Sequence, residues 1–285
     1  MSKKIIACID GSASSAAVCD AAAWASNYID SPITLLHVLD REGYVSEANL
    51  SGAIGLGSRE NLLEELVELD AQRSKLALQQ GKVMLEAASQ RIAAVSDIET
   101  ESRQRHGDLV ETLEELDESM DLLVIGREGA EVERHPDSHI GSHLEHVIRT
   151  QHHPILVAVP DFNVPKKVLI AFDGSDTAKK ALQLLCTTNL LKEVECHLVM
   201  VAEDTLSNNA ALKDEFTDLE SRGVNVTAEL CPGDVESVLV DYVKTHDIDL
   251  LIMGAYGHSR IRQFFVGSTT TKLMGSSPVS MLLLR

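Results

Sequence analysis

The chain has 285 residues, 44% of them hydrophobic, which suits two domains of roughly 100–150 residues, each able to bury a core. Its formal charge of −19 and pI near 4.9 argue against nucleic acid or an anionic membrane as partner, since both need clustered Lys and Arg. Five cysteines without C-x2-C spacing (Cys8, Cys19, Cys186, Cys196, Cys231) read as core thiols of a reducing compartment; the short apolar run 5–9 is too short for a signal peptide or membrane span, so a cytoplasmic protein is expected.

In the first half, β-rich apolar runs near 4–9, 33–39, 98–103, 122–125 and 155–159 alternate with helical patterns, the signature of parallel strands joined by helical crossovers. Near-continuous apolar runs fit strands covered on both faces. A first helix over about 13–28 follows Ser12, with Ser14 and Ser15 as further capping candidates and Trp24 directed to the core. Between the second and third strands, residues 41–95 hold a glycine-containing loop (Gly52, Gly55, Gly57). A long amphipathic run follows, with Leu62, Leu66, Leu69 and Leu76 at helical spacing. This segment is predicted mostly helical, with Gly81 as the place for a break; unbroken, it would reach ~50 Å at ~1.5 Å per residue and overshoot one sheet. It should therefore bend or reach beyond its own domain.

Six histidines (His135, His139, His143, His146, His152, His153) cluster after the fourth strand. His139, His143 and His146 would share a helical face that zinc could use; solvated polar side chains are the plainer reading. The segment 160–165, PDFNVP, has proline at both ends and no periodic pattern, which marks it as a linker between domains 1–160 and 166–285. It is short, so the two domains should touch.

The second half repeats the first. KIIACIDGS (4–12) recurs as KVLIAFDGS (167–175), HGD (106–108) as PGD (232–234), DLLVIG (121–126) as DLLIMG (249–254), and PILVAV (154–159) as PVSMLL (278–283). The piece matching the long helical segment, about 205–222, is much shorter. The expected architecture is α/β: two tandem open, mostly parallel five-stranded sheets flanked by helices, Rossmann-like in type.

After the late strand 249–253 comes Gly254-x2-Gly257-x9-Gly267-Ser268, then Thr269. Glycines let backbone N–H groups approach an anion, and the N-terminus of the following helix favours negative charge, so the loop suits a phosphate. It has neither the Lys of a P-loop nor the G-x-G-x-x-G dinucleotide spacing; in a plainer reading the glycines only turn the chain. The same loop in the first half keeps Gly126, Gly129, Gly141 and Ser142. It places eleven residues, including Glu131, Glu133 and Asp137, where the second half places nine with Arg260 and Arg262 and no acid. One charge within about 4 Å of a phosphate changes its energy by roughly 1–4 kcal/mol at near-surface dielectric, so the second half should be the anion-competent one.

The spacing G-x2-G-x9-G-S, the closing run 278–284 and the opening KVLIAFDGS resemble the universal stress protein family, and the duplication resembles a tandem member of it with the adenine-nucleotide α-hydrolase-like fold. The resemblance implies ATP (or AMP or ADP, with Mg2+ accompanying the nucleotide), with adenine and ribose near Asp173 and Val201 and the phosphates on Gly254, Gly257, Gly267, Ser268 and Thr269. Asp173 could instead serve the start of the next helix. The resemblance further implies a nucleotide-dependent regulator or scaffold acting on protein clients. It also implies pairing of the two halves through their closing strands, and room for a homodimer that no residue pattern fixes. A stress scaffold that binds no nucleotide and has a ligand- or metal-binding first domain, or a slow ATPase, are the alternatives. No catalytic residue is assigned, because no G-x-S-x-G elbow, H-E-x-x-H or spaced acid/base pair is present.

Overall fold

The computed structural model describes residues 3–39, 56–129, 142–188, 190–254 and 268–284; the side chains of 56–64, 142, 176, 177, 184, 268 and 269 lie outside that description. In chain order the first half is β1 (Lys4–Cys8), α1 (Ser14–Ile29), β2 (Ile33–Leu39), α2 (Leu56–Ala93), β3 (Thr100–His106), α3 (Leu109–Leu116), β4 (Met120–Gly126), α4 (Ser142–Thr150) and β5 (Ile155–Ala158). The second half is β6 (Lys167–Ala171), α5 (Asp176–Leu185), β7 (Glu195–Val201), α6 (Leu206–Ser221), β8 (Val226–Cys231), α7 (Val235–Thr245), β9 (Leu250–Gly254), α8 (Ser268–Ser276) and β10 (Ser280–Leu284).

The strands form one ten-stranded sheet in the order β3-β2-β1-β4-β5-β10-β9-β6-β7-β8. Each half is a parallel five-stranded sheet, and the two join edge to edge where β5 and β10 run antiparallel with Leu282 opposite Leu156 and Met281 opposite Val157. The reason lies in burial. β5 and β10 are apolar and buried along their whole lengths, whereas the outer strands β3 and β8 carry Glu101, Arg103, Arg105 and Glu229 and are largely exposed. Charged edges resist pairing; apolar ones demand it. Further contacts cross between the halves. The Tyr28 hydroxyl bonds Glu193 at 3.1 Å, Phe162 of the 160–165 segment packs on Trp24 with ring centroids 5.9 Å apart, and the Val159 N–H bonds the Ser280 hydroxyl at 3.2 Å.

Helices cover both faces. α1, α2, α5 and α6 pack on one, around Trp24, Ile92, Leu182 and Leu219; α3, α4, α7 and α8 pack on the other, around Leu113, Val147, Leu239 and Leu273. The repeated HGD and PGD motifs prove to be helix starts: Gly107 and Gly233 adopt φ of +135° and +136°. Asp108 then caps α3 by accepting from the Glu111 N–H, and Asp234 caps α7 by accepting from the Ser237 N–H.

Three sequence expectations shift. β3 begins two residues later than the run at 98–103 suggested. α1 starts at Ser14 after Ala13, with no side-chain cap, because the nearby Ser12 and Ser15 hydroxyls donate to Asp10 instead. And α2 passes Gly81 unbroken for 38 residues, about 57 Å at ~1.5 Å per residue. A glycine is needed there for a different reason: a Cβ at Gly81 would collide with Gln104 and sit 2.6 Å from the His37 ring, so it is the point of closest approach between α2 and the strands β2 and β3.

Two measurements test this architecture. Leu156→Asp buries an unpaired carboxylate at the β5–β10 seam and should split urea unfolding into two transitions; one transition with an unchanged midpoint would contradict the seam's role. Glu101 on β3 accepts from Arg103 and from Lys4 on β1, and these two cations, Arg103 first, hold its carboxyl down at about 2. A depressed carboxyl contributes stability that is complete above its unfolded value near 4.5 and lost as pH falls toward about 2. Glu101→Gln should therefore flatten the unfolding midpoint between pH 4.5 and 2, by less than about 1 kcal/mol because the pair is solvent-exposed.

Candidate functional site

In an open α/β sheet the ligand crevice lies beyond the carboxyl ends of strands, where connections leave in opposite directions. In the second half that point is β6, flanked by β7 on one side and β9 on the other. The register Ala171–Val199 and Ala171–Met253 places Asp173, Val201 and Gly254 just past or at the carboxyl ends of these three adjacent strands. The structure thus brings together three of the predicted positions. Ser268 and Thr269 open the first turn of α8, while Gly257 and Gly267 lie outside the described residues.

Gly174 turns the chain at φ +76°, the exposed Asp173 carboxylate accepts from the Ser175 N–H at 2.9 Å, and among the described residues it has no second hydrogen bond. Ser175, not Asp173, caps α5, accepting from the Ala178 N–H at 3.1 Å. Among the described residues no atom comes within 4 Å of where a Gly254 Cβ would stand.

The equivalent turn of the first half is also exposed at Asp10 and Gly11 but makes more contacts. Asp10 accepts from the Ser12 N–H (3.0 Å), the Ser12 hydroxyl (2.6 Å) and the Ser15 hydroxyl (3.1 Å), and Ser12 also donates to the Glu128 carbonyl at 3.2 Å. Gly11 (φ +78°) lies against the Met84 sulfur of α2, a Gly126 Cβ would stand 2.6 Å from Ser14, and a Gly129 Cβ 3.3 Å from the Asp10 carboxylate. The loop after β4 is therefore drawn onto the Asp10 turn. Its Arg127 points the other way, donating to the Ser277 carbonyl at 2.6 Å beyond the end of α8 and pairing with Glu128 at 3.1 Å.

Ser12 and Ser15 were read from the sequence only for the start of the first helix, and Met84 and Arg127 were not singled out. Ser15 was a usable signal, because DGSASS carries one more hydroxyl at helix spacing than DGSDTA; Met84 and Arg127 act across elements and left none. Of the histidines, His153 faces Asp117 at 3.4 Å, His143 and His146 lie on α4, and His135 and His139 are outside the described residues. Among the described residues no group of three or more His, Cys, Asp or Glu is arranged to hold a metal ion. Burial pushes the Cys8 and Cys196 thiols up to about 12 and Cys19 up to about 11, so these three are unreactive at neutral pH. No helix among the described residues is long and apolar enough to cross a membrane.

This is a duplicated, doubly wound α/β protein whose two Asp-Gly-Ser turns differ in their contacts. The model of the universal stress protein family matches residues 1–159 and again 165–285, and the chain belongs to that family. It is 34% identical over 287 residues to universal stress protein Slr1230 of Synechocystis sp., covering 99% of this chain and 100% of that one. Among solved structures, a universal stress protein from Archaeoglobus fulgidus DSM 4304 superposes with a TM-score of 0.67 at 19% identity, over 98% of this chain and 95% of that one. A shorter universal stress protein solved in complex with cAMP matches 42% of this chain and 97% of its own, at 19% identity and a TM-score of 0.37.

The contrast between the two Asp-Gly-Ser turns can be measured. Asp10→Ala removes an acceptor of three hydrogen bonds and should lower stability by about 1–2 kcal/mol in urea unfolding, whereas Asp173→Ala removes one and should cost well under about 1 kcal/mol. Equal losses would mean that both aspartates are structural.

Proposed function

We propose that the chain binds one ATP, with AMP or ADP as weaker ligands, in the crevice of its second half, and acts as a nucleotide-dependent regulator or scaffold. The observation that carries the reading is the placement of Asp173, Val201 and Gly254 at the ends of three adjacent strands. In this reading Asp173 and Val201 hold the adenine and ribose. Gly254, Gly257 and Gly267 let backbone N–H groups reach the phosphates, and Ser268 and Thr269 add the hydroxyls and N–H groups of the α8 N-terminus. The loop's Arg260 and Arg262 supply positive charge in an otherwise acidic protein.

The first half, domain 1 over residues 1–160, has a structural role at its own Asp-Gly-Ser turn, where Ser12 and Ser15 donate to Asp10 and Met84 lies against Gly11. Domain 2, residues 166–285, carries the site. No catalytic residue is assigned.

Isothermal titration of the intact chain with ATP, with and without Mg2+, should give a stoichiometry of one. Gly257→Val should weaken binding more than tenfold, about 1.4 kcal/mol or more, because a branched side chain blocks the backbone approach; Gly129→Val should leave binding unchanged. A stoichiometry of two, or binding lost with Gly129→Val and kept with Gly257→Val, would place the site in the wrong half.

A further inference from the structure

The apolar strand edges are consumed within one chain by the β5–β10 pairing, so any further association has to use another surface. One helix offers it. Over residues 65–80 the side chains of α2 are exposed apart from the half-buried Leu66 and Ala77; contact with the body begins where the Gln104 amide donates to the Leu78 carbonyl at 3.4 Å, and one side then closes on it through Gly81, Leu85, Ala88 and Ile92. On the exposed part Leu69, Leu76 and Val83 recur every seven residues and are 49%, 58% and 64% exposed.

At ~100° per residue this row lies about 150° around the helix from the docked row, so the chain's own sheet cannot cover it. Leu66, Arg73 and Gln80 alternate with it, which gives the alternating three- and four-residue spacing of a two-stranded coiled-coil seam. An amphipathic helix whose only need were its own sheet would carry one apolar row; α2 carries two.

Charge identifies the occupant. The turns before Ala71 hold Glu65, Glu68 and Asp70, and residues 71–85 hold Arg73, Lys75 and Lys82 with no acid. Two parallel copies would set like charge beside like. Two antiparallel copies, crossing near Ala71, would set the acidic turns of each beside the basic turns of the other, with Leu66 opposite Leu76 and the Arg73 stem over Leu69 so that its guanidinium meets Asp70 and Glu65. Antiparallel pairing also places the two bodies, each of formal charge −19, at opposite ends of the helices, more than a Debye length of about 8–10 Å apart.

We propose that the projecting part of α2 is a homodimerisation arm, pairing antiparallel with the same helix of a second copy of this chain. The surface is separate from the nucleotide crevice and does not depend on it.

Sedimentation velocity of the full chain tests this. The wild-type chain should be dimeric at tens of micromolar, and Leu76→Glu, a change at an exposed position that leaves the circular dichroism unaltered, should raise the dimer dissociation constant at least tenfold. Arg73→Glu should do the same, and Arg73→Glu with Asp70→Arg should restore dimerisation, because the swapped charges meet again across an antiparallel pair. A wild-type chain that stays monomeric at about 100 µM overturns the proposal, as does a dimer indifferent to both Leu76→Glu and Arg73→Glu.

Discussion

The pairing of β5 with β10 is the constraint on which the rest of the molecule depends. A parallel five-stranded sheet with helices on both faces still has two open edges, and in each half one of them is a run of buried aliphatic side chains that water cannot cover. Joining those two edges removes both liabilities at once and leaves charged strands, β3 and β8, as the outer margins. Tandem duplication within one chain makes the partner edge available at high effective concentration through a six-residue segment, 160–165. The linker's Phe162 against Trp24 and the Tyr28–Glu193 bond then add contacts on one face of the sheet.

With the shared frame fixed, the halves diverge through what sits over the first Asp-Gly-Ser turn. In the first half α2 passes so close to β2 and β3 that only glycine fits at position 81, and three residues later Met84 rests on Gly11. The neighbouring serines turn their hydroxyls onto Asp10 and the β4 loop follows. In the second half the shorter α6 brings Ala211 no nearer than 4.0 Å to where a Gly174 Cβ would stand. The same turn thus carries a methionine from α2 and a serine network in one half, and in the other lies near Met200 of β7, whose Cε stands 3.4 Å from where a Gly174 Cβ would be.

Much of this was legible in the sequence. Repeats such as KIIACIDGS and KVLIAFDGS align element for element, and strands buried on both faces announce themselves as unbroken apolar runs, so strand count and duplication followed from pattern alone. The seam was legible because apolar closing strands must pair with something. Gly81 was misread, because a glycine in a helical pattern signals either a break or a close approach and only the neighbouring His37 and Gln104 decide between them. Of the site, the strand-end positions Asp173 and Val201 came from the family resemblance and the glycines of the loop from their spacing, while the contact of Met84 with Gly11 and the reach of Arg127 to Ser277 were not legible at all. Both are contacts between residues far apart in sequence, and neither is imposed by local periodicity.

Antiparallel joining of the sheets also turns the two crevices to opposite ends of the molecule, so the carboxyl rim of one half adjoins the amino ends of the other half's strands. α8 spans that distance. Its first residue, Ser268, lies at the carboxyl rim of the second half, while just beyond its last turn the Ser277 carbonyl holds Arg127 of the first, with Leu273 and Met274 fully buried between them. A nine-residue helix of ~14 Å, clamped at its middle and tethered at its far end, is a strut: the guanidinium of one domain is the footing on which the other domain's last helix stands.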